Sequence, residues 1–197
     1  FSSSASAVEV TDQKWALEFQ TGFYWPTDSN IDAFLPKCCN MLYQLGFGRL
    51  IDSQYQIGLR AGIMSENAFA IGSVSGEPSG DRFNFTIVPV ELNFIWRADF
   101  VENQVLVPYV DVGLDYLYFR ENVSGAVTQG NKFGYHTGVG LQVLLEWFDR
   151  FADTHEQEGI NDIYLTLEGR WMQVDNFGGN GLKVNGFVFS AGLLFEF

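Results

Sequence analysis

The chain has 197 residues and a formal net charge of −13, with 47% hydrophobic and 16% aromatic residues. So acidic a chain cannot replace the counterions along a phosphate backbone, which excludes nucleic acid as a partner, and its aromatic content excludes disorder over most of its length. The longest stretch without a formal charge, residues 133–145, has 13 residues. A membrane-spanning helix is excluded as well, because it needs about 18–20 apolar residues.

Nearly every segment alternates between apolar and polar side chains with a period of two residues, which predicts β-strands with two different faces. The polar faces carry glycines and charged residues, and the apolar faces run along eight segments. In chain order these are residues 15–25, 41–47, 55–63, 88–96, 110–118, 133–143, 163–171 and 187–197. Eight is an even number, as a closed single-chain barrel requires.

The connections between these segments alternate in length. Those after odd-numbered strands are long and polar, at residues 26–39, 65–83, 120–131 and 175–184, whereas residues 52–54 and 99–104 form short turns. Residues 148–161 break the pattern and fit either a short interfacial helix or a solvated acidic turn. We expect residues 1–13 to form an N-terminal periplasmic extension, beginning at Phe1 after removal of a signal peptide, and residues 14–197 to form one domain.

Strands of a soluble sandwich and of a membrane barrel both alternate between apolar and polar residues. The composition of the apolar faces therefore has to distinguish the two folds. Trp and Tyr residues lie near the ends of almost every apolar face, as in the interfacial girdles of membrane barrels. Glycine weakens a solvent-exposed strand, but it suits the polar face of a strand that lines a crowded lumen. The sequence therefore predicts an all-β fold, an eight-stranded antiparallel transmembrane β-barrel.

The last eight residues resemble the signal by which the outer-membrane assembly machinery recognises its substrates. Its positions are Ser190, Gly192, Phe195 and Phe197, a polar residue and a glycine followed by alternating apolar residues. The layout of residues 14–197 is similar to the small OmpA-, OmpX- and OmpW-type barrels, without a peptidoglycan-binding domain after the last strand. Residues 22–28 resemble the first strands of small barrels of deltaproteobacterial type. This resemblance implies the bacterial outer membrane, with its lipid, its lipopolysaccharide and its assembly machinery as partners.

The residues that could carry chemistry are few, so we expect no catalytic residue, no metal and no cofactor. His136 points into the lumen without a nearby serine, since the next positions are Thr137 and Gly138, where lipid A deacylase barrels carry a His-x-Ser pair. His155 lies in the acidic run with Asp153, Glu156 and Glu158, which is better interpreted as solvated than as a metal site. The adjacent cysteines, Cys38 and Cys39, are two thiols or a strained disulfide in a loop.

The inward-facing charges are the most informative candidates, because groups that lipid surrounds on the outside must pair inside or hold water. An eight-stranded barrel is just wide enough for side chains to fill it. A plug of ion pairs and a narrow cation-preferring path both remain open. The predicted lumen charge network comprises Glu18, Arg60, Glu91, Arg97, Asp111, Asp115, His136, Glu146, Glu168 and Arg170.

The sequence favours a non-enzymatic barrel that acts through its surface loops and periplasmic turns as a structural or partner-binding component, with another envelope protein as a possible partner. Apolar side chains in the first two loops support contact with a partner, or packing between loops. These are Ile31, Phe34, Leu35, Phe69, Ile71 and Val74. The alternative is an OmpW-like narrow channel for small or hydrophobic molecules, with Pro89 or Pro108 marking an interruption in a strand.

Overall fold

The computed structural model describes residues 15–28, 40–71, 78–101, 104–123, 126–145, 162–179 and 183–197, without the side chains of residues 67–83 and 123. Within these residues the protein consists of eight β-strands joined by turns. The strands are β1 (Trp15–Pro26), β2 (Asn40–Leu50), β3 (Tyr55–Ile71), β4 (Pro78–Arg97), β5 (Leu106–Val123), β6 (Ala126–Leu144), β7 (Asp162–Val174) and β8 (Gly186–Glu196). The described residues include no helix long and apolar enough to cross a bilayer.

The eight strands form one closed antiparallel barrel, in which each strand pairs with its neighbours in sequence and β1 pairs with β8. Following the registers from Glu18 through β2, β3, β4 and β5 leads to Gly134 on β6, whereas following them through β8 and β7 leads to Leu144. The sheet therefore closes with an offset of ten residues, which tilts the strands against the barrel axis. The predicted all-β, eight-stranded barrel is confirmed.

The four middle strands are longer than a membrane requires. The strands β3 to β6 have 17, 20, 18 and 19 residues, whereas the other four have 11 to 13. A transmembrane strand needs about 9–11 residues. The surplus forms a raised sheet, which we define as residues 65–71, 78–87, 118–123 and 126–133. This sheet rises above the last pairs to β2 and β7, which are Leu42 with Met64 and Gly134 with Val174.

Two of the predicted loops are wrong, because most of their residues form the raised sheet. Most of residues 65–83 and 120–131 belongs to strands, so the predicted loop residues Phe69 and Ile71 lie in β3. The prediction failed because a strand that rises out of lipid loses its apolar face, and its composition then becomes that of a loop. Polar side chains pair across the strands instead. Asn84 Nδ2 donates to Ser65 Oγ at 3.2 Å, and the Tyr118 hydroxyl donates to Gln129 Oε1 at 2.8 Å.

The two short turns at the opposite end are held by side-chain hydrogen bonds. Asp52 Oδ1 accepts the backbone N–H groups of Gln54 and Tyr55, both at 2.8 Å. Gln104 Nε2 donates to the carbonyls of Ala98, at 2.8 Å, and Leu106, at 2.7 Å. We call this end of the barrel, where Trp15 and Phe197 also lie, the terminal end, and the opposite end the loop end.

Candidate functional site

Arg60 occupies the middle of the lumen and is fully buried. Its Nη2 lies 3.1 Å from Glu18 Oε2, and its Nη1 lies 3.5 Å from Glu91 Oε2 and 3.8 Å from Asp111 Oδ2. Both terminal nitrogens also bind Glu168, at 3.3 and 3.4 Å. One guanidinium therefore joins carboxylates from four other strands.

Arg170 forms a second centre beside the first. Its Nη1 donates to Glu91 Oε2, its Nη2 donates to Gln44 Oε1 at 3.2 Å, and Glu168 Oε1 lies 3.8 Å from Nη1. Gln44 Nε2 in turn donates to Glu91 Oε1 at 3.0 Å, and the Tyr109 hydroxyl donates to Glu168 Oε2 at 3.0 Å. The two arginines thus share Glu91 and Glu168, and neutral side chains complete the carboxylate shells.

His136 lies between two further carboxylates. Its Nδ1 is 2.7 Å from Asp115 Oδ1, and its Nε2 is 3.5 Å from Asp111 Oδ2. The imidazole rests against Gly113, where an added Cβ would lie 2.5 Å from Cε1. Any side chain at position 113 would therefore displace the ring. This close packing explains why a glycine occupies this position in the lumen.

The central cluster holds more acid than base. Five carboxylates, those of Glu18, Glu91, Asp111, Asp115 and Glu168, surround two guanidiniums and one imidazole. Asp111 is completely buried, and neither of its oxygens accepts a hydrogen bond from a described residue. The described residues contain no group of His, Cys, Asp and Glu arranged to hold a metal ion.

Two apolar clusters close the lumen on either side of these charges. The cluster at the loop end contains Tyr24, Leu42, Met64, Phe85, Ile87, Leu117, Met172, Val174, Val184 and Val188. The cluster at the terminal end contains Ala16, Leu50, Val107, Tyr164 and Leu194, packed against Leu144. Between them, a gap beside Glu18 and Arg60 has a volume of about 10 Å³, which is the space of a single water molecule. The described lumen is therefore a filled core.

The ion pair of Arg97 and Glu196 lies apart from the central cluster, at the terminal end. Arg97 Nη1 donates to Glu196 Oε1, and its guanidinium lies 5.4 Å from the centre of the Tyr164 ring. Glu196 is missing from the predicted lumen charge network, although it alternates with Phe195 and Phe197 of the apolar face. The signal that could have identified it is the strand order, because β4 and β8 approach each other only across a narrow lumen.

The structure brings together most of the residues proposed for the lumen charge network. Glu18, Arg60, Glu91, Asp111, Asp115, His136, Glu168 and Arg170 form the central cluster, whereas Arg97 pairs separately with Glu196. Glu146 lies outside the described residues, as do His155, Asp153, Glu156, Glu158, Cys38, Cys39 and residues 1–13 and 148–161. Sequence reasoning also missed Gln44, Gln20 and Tyr109, because neutral polar residues give no charge signal.

The residues of the proposed assembly signal all lie on the last strand or just after it. Ser190 Oγ faces the lumen and donates to Gln20 Oε1 at 3.3 Å. Gly192 approaches the Phe19 carbonyl so closely that an added Cβ would lie 2.2 Å away, and the rings of Phe195 and Phe19 meet edge to face. Phe197 follows β8 and pairs with Trp15.

The outer surface is apolar around the whole circumference. Every strand exposes at least one large apolar residue at mid-height, for example Phe19, Leu45, Leu59, Leu92, Val112, Val139, Leu167 and Phe189. Aromatic residues border this band at both ends, with Trp15, Tyr55 and Trp96 at one end and Trp25, Tyr116 and Tyr135 at the other. A water-soluble protein does not expose so large a continuous apolar area, whereas a transmembrane barrel requires it.

Comparison with solved structures agrees with the assignment of the chain as a transmembrane barrel. The outer membrane protein OprG from Pseudomonas aeruginosa superposes with a TM-score of 0.66 at 13% identity, over 94% of this chain and 96% of that one. The Neisserial surface protein A superposes with a TM-score of 0.60 at 11% identity, over 93% and 96% of the two chains. This is the fold of the small bacterial outer-membrane β-barrels. No protein-family model and no curated protein matches the sequence.

A third similar structure is Ail, the attachment invasion locus protein of Yersinia pestis, with a TM-score of 0.54 at 12% identity, over 94% of this chain and 99% of that one. Ail has also been solved in complex with the heparin analogue sucrose octasulfate. At these identities the likeness extends to the fold alone, so the function of this chain has to be argued from its own residues.

Proposed function

We propose that this chain is a non-enzymatic integral protein of the bacterial outer membrane that binds a partner protein of the envelope or the cell surface through its loop end. The observation that carries this proposal is the raised sheet. Four strands extend well beyond the apolar band, although six or more residues per strand contribute nothing to spanning the bilayer. We orient the barrel with the loop end outside and both termini in the periplasm.

The raised sheet has the features of a protein-binding surface. Within the described chain, residues 126–132 of β6 pair with β5 on one side, whereas on the other side the pairing with β7 begins only at Gly134 and Phe133 bonds Asn176. Residues 126–131 carry no formal charge, and Val127 is 47% exposed. Proteins that avoid association usually protect such an edge with charges or proline, and an unprotected edge can accept a strand from a partner.

The filled lumen supports binding over conduction. Ions would have to cross two apolar clusters and displace paired charges between them. In planar bilayers we therefore expect no discrete channel openings. Regular single-channel steps would contradict the proposal and favour transport.

Site-specific photo-crosslinking in intact cells tests the proposed surface directly. A photoreactive phenylalanine analogue replaces Val127 on the raised sheet in one variant and Val112, which is 44% exposed on the lipid-facing band, in a matched control. We expect a discrete protein adduct from position 127 and none from position 112. Adducts of equal intensity at both positions, or none at position 127, would contradict a partner at the raised sheet.

A second candidate function, lateral passage of small hydrophobic molecules as in OmpW-like barrels, has one observation in its favour. The pairing of β3 with β4 runs to Ala61 opposite Val90 and resumes only at Met64 opposite Ile87, so Pro89 lies in a gap of the ladder. Proline cannot donate the missing hydrogen bond. By contrast, Pro108 lies opposite Leu141 in a continuous register.

Uptake assays on two proline variants separate this candidate from the first. If the gap is a passage, Pro89→Val should slow the uptake of a small hydrophobic compound into cells, whereas Pro108→Val should not. Equal uptake by both variants and the parent would rule out the lateral route and leave partner binding as the function.

A further inference from the structure

A shallow, open cavity lies on the outer surface at the loop end, where β7 stops pairing with β6. It has a volume of about 290 Å³ and is lined by Asn131, Phe133, Asn176 and Phe177. Directly below it, Tyr135 packs edge to face against Trp171, with ring centres 5.8 Å apart. These two residues belong to the aromatic border of the apolar band. A ligand in this cavity would therefore lie at the level of the lipid headgroups.

The turn that forms one wall of the cavity is held rigidly. Asn176 donates its backbone N–H to the Phe133 carbonyl and accepts the Phe133 N–H at its Oδ1, both at 2.9 Å. Asp175 Oδ1 accepts the Gly178 N–H at 2.7 Å, and the Asp175 carbonyl accepts the Gly179 N–H at 2.8 Å. The first of these two bonds is the main reason why the pKa of Asp175 lies below its usual value. The cavity wall is thus preformed.

Phe177 is held in an unusual backbone conformation. Its φ angle is +57°, in the left-handed region that bulky residues avoid. Its ring is nonetheless 64% exposed and lies almost parallel to the Tyr135 ring, with centres 6.3 Å apart. Strained conformations that the surrounding structure fixes occur preferentially at ligand sites. The strain here keeps an aromatic face open beside two asparagine amides.

We propose that this cavity binds one ring of a neutral saccharide. Aromatic faces pack against the C–H groups of a sugar ring, and amides donate to and accept from its hydroxyl groups. The Asn176 Oδ1 is occupied by Phe133, which leaves the Nδ2 as a donor, and no hydrogen bond within the described chain engages the Asn131 amide. The volume suits a single ring, because it lies at the lower limit of small-molecule sites, roughly 300 Å³.

The lining also argues against other occupants. No charged side chain of the described residues lines the cavity, and the chain carries a net charge of −13, so a phosphate or sulfate would meet no cation in that lining and an unfavourable field. A partner strand would need free backbone groups at this point. Asn176 already pairs with both the N–H and the C=O of Phe133. The proposal goes beyond partner binding, since Val127 lies outside the cavity and either proposal can fail without the other.

Binding is tested by saturation-transfer NMR on the full chain refolded in dodecyldimethylamine oxide, a detergent without a sugar headgroup. The probes are glucose, galactose and N-acetylglucosamine, added separately. For a ligand of this size we expect saturable binding of at least one sugar, with a dissociation constant on the order of 1–10 mM. The absence of saturation for all three sugars at roughly ten times that concentration would overturn the proposal.

Two variants and a matched control locate the site. Phe177→Ala removes the open ring, and Asn131→Ala removes an amide outside the turn, so one of them stays informative if the other disturbs the fold. Each should weaken binding by about tenfold. Phe100→Ala, at an equally exposed phenylalanine (67%) of the terminal end, should leave it unchanged. Equal affinities in all variants would place the sugar elsewhere, and tighter binding of sucrose octasulfate would overturn a neutral ligand.

The sugar could belong to a lipid of the outer leaflet or to a free glycan, and a competition experiment distinguishes them. The chain is reconstituted in bilayers with and without lipopolysaccharide, and the binding of the free sugar is measured in both. Displacement of the sugar by lipopolysaccharide would support a lipid-linked ligand. Undiminished binding in both bilayers would support a free glycan at the same site.

Discussion

Arg60 on β3 holds Glu168 on β7 across the lumen with both terminal nitrogens of its guanidinium, at 3.3 and 3.4 Å. Two parallel hydrogen bonds of this kind fix the relative position of two groups better than a single contact does. Because β3 and β7 lie on opposite sides of the barrel, this pair ties its two halves together. The surrounding carboxylates outnumber the guanidiniums. The stability of the cluster therefore depends more on each arginine than on each carboxylate.

This imbalance leads to an asymmetric outcome for substitutions of Arg60 and Glu18. Arg60→Met leaves four buried carboxylates without their shared cation, and we expect it to lower the free energy of unfolding by about 3–5 kcal/mol. Glu18→Gln keeps a hydrogen-bonding side chain and reduces the excess of acid, so it should cost less than about 1.5 kcal/mol. Reversible urea unfolding in lipid vesicles measures both. Equal losses of unfolding free energy in the two variants would show that the net charge of the lumen does not determine the stability of the cluster.

The faces of all eight strands could be predicted from the sequence because lipid and lumen impose opposite chemistry on alternate residues. The same physics explains what was missed. Above the bilayer the outward-facing side chains meet water, so residues such as Ser65 and Asn84 are polar although they lie in paired strands. The pairing of Arg97 with Glu196 depends on the lumen width, and the left-handed backbone of Phe177 depends on the turn around it. Neither is encoded by local periodicity.

The lipid-facing band gives a second measurable expectation, at Leu59. This side chain is 59% exposed and lies on the apolar band between Phe47 of β2 and Leu92 of β4. Leu59→Arg should lower the free energy of unfolding in bilayers by roughly 2–4 kcal/mol, because a charge near the midplane has no water. The control is Ile51→Arg in the β2–β3 turn, where a 65% exposed side chain is near water and the change should be close to neutral. A neutral result at position 59 would contradict the register.

The turn after β7 should loosen in acid because of Asp175. The pKa of this carboxyl is lowered chiefly by the Gly178 N–H and then by the Gln173 amide. A lowered pKa means that the ionised carboxylate stabilises the turn fully above its ordinary value of 3.8, and that this stabilisation disappears as the pH falls through the lowered value.

Amide hydrogen exchange at Gly178 and Gly179 measures the effect. We expect protection that is constant between about pH 5 and 7, after correction for the intrinsic rate, and that decreases below about pH 4. Asp175→Asn should show weak protection at every pH. Unchanged protection in acid would mean that the carboxylate does not hold the turn.

Trp15 and Phe197 close the barrel at its terminal end, since each donates its backbone N–H to the other's carbonyl at 3.0 Å. The Phe197 side chain takes no part in this exchange and is 39% exposed. Its removal therefore leaves the closing hydrogen bonds in place. The loss of apolar burial is at most about 1.5–3 kcal/mol, the value for a fully buried phenylalanine.

Phe197→Ala should therefore separate folding from assembly. We expect refolding into detergent, followed by the shift of the unboiled band on a gel, to proceed nearly as for the parent. The amount inserted in cells should fall sharply, because residues 190–197 resemble the signal that the assembly machinery recognises. Phe187→Ala is the matched control, since this side chain lies on the same strand, is 43% exposed and precedes the signal. If both variants insert equally well, Phe197 acts only as a lipid contact, and the membrane assignment would depend on the apolar band and its aromatic borders alone.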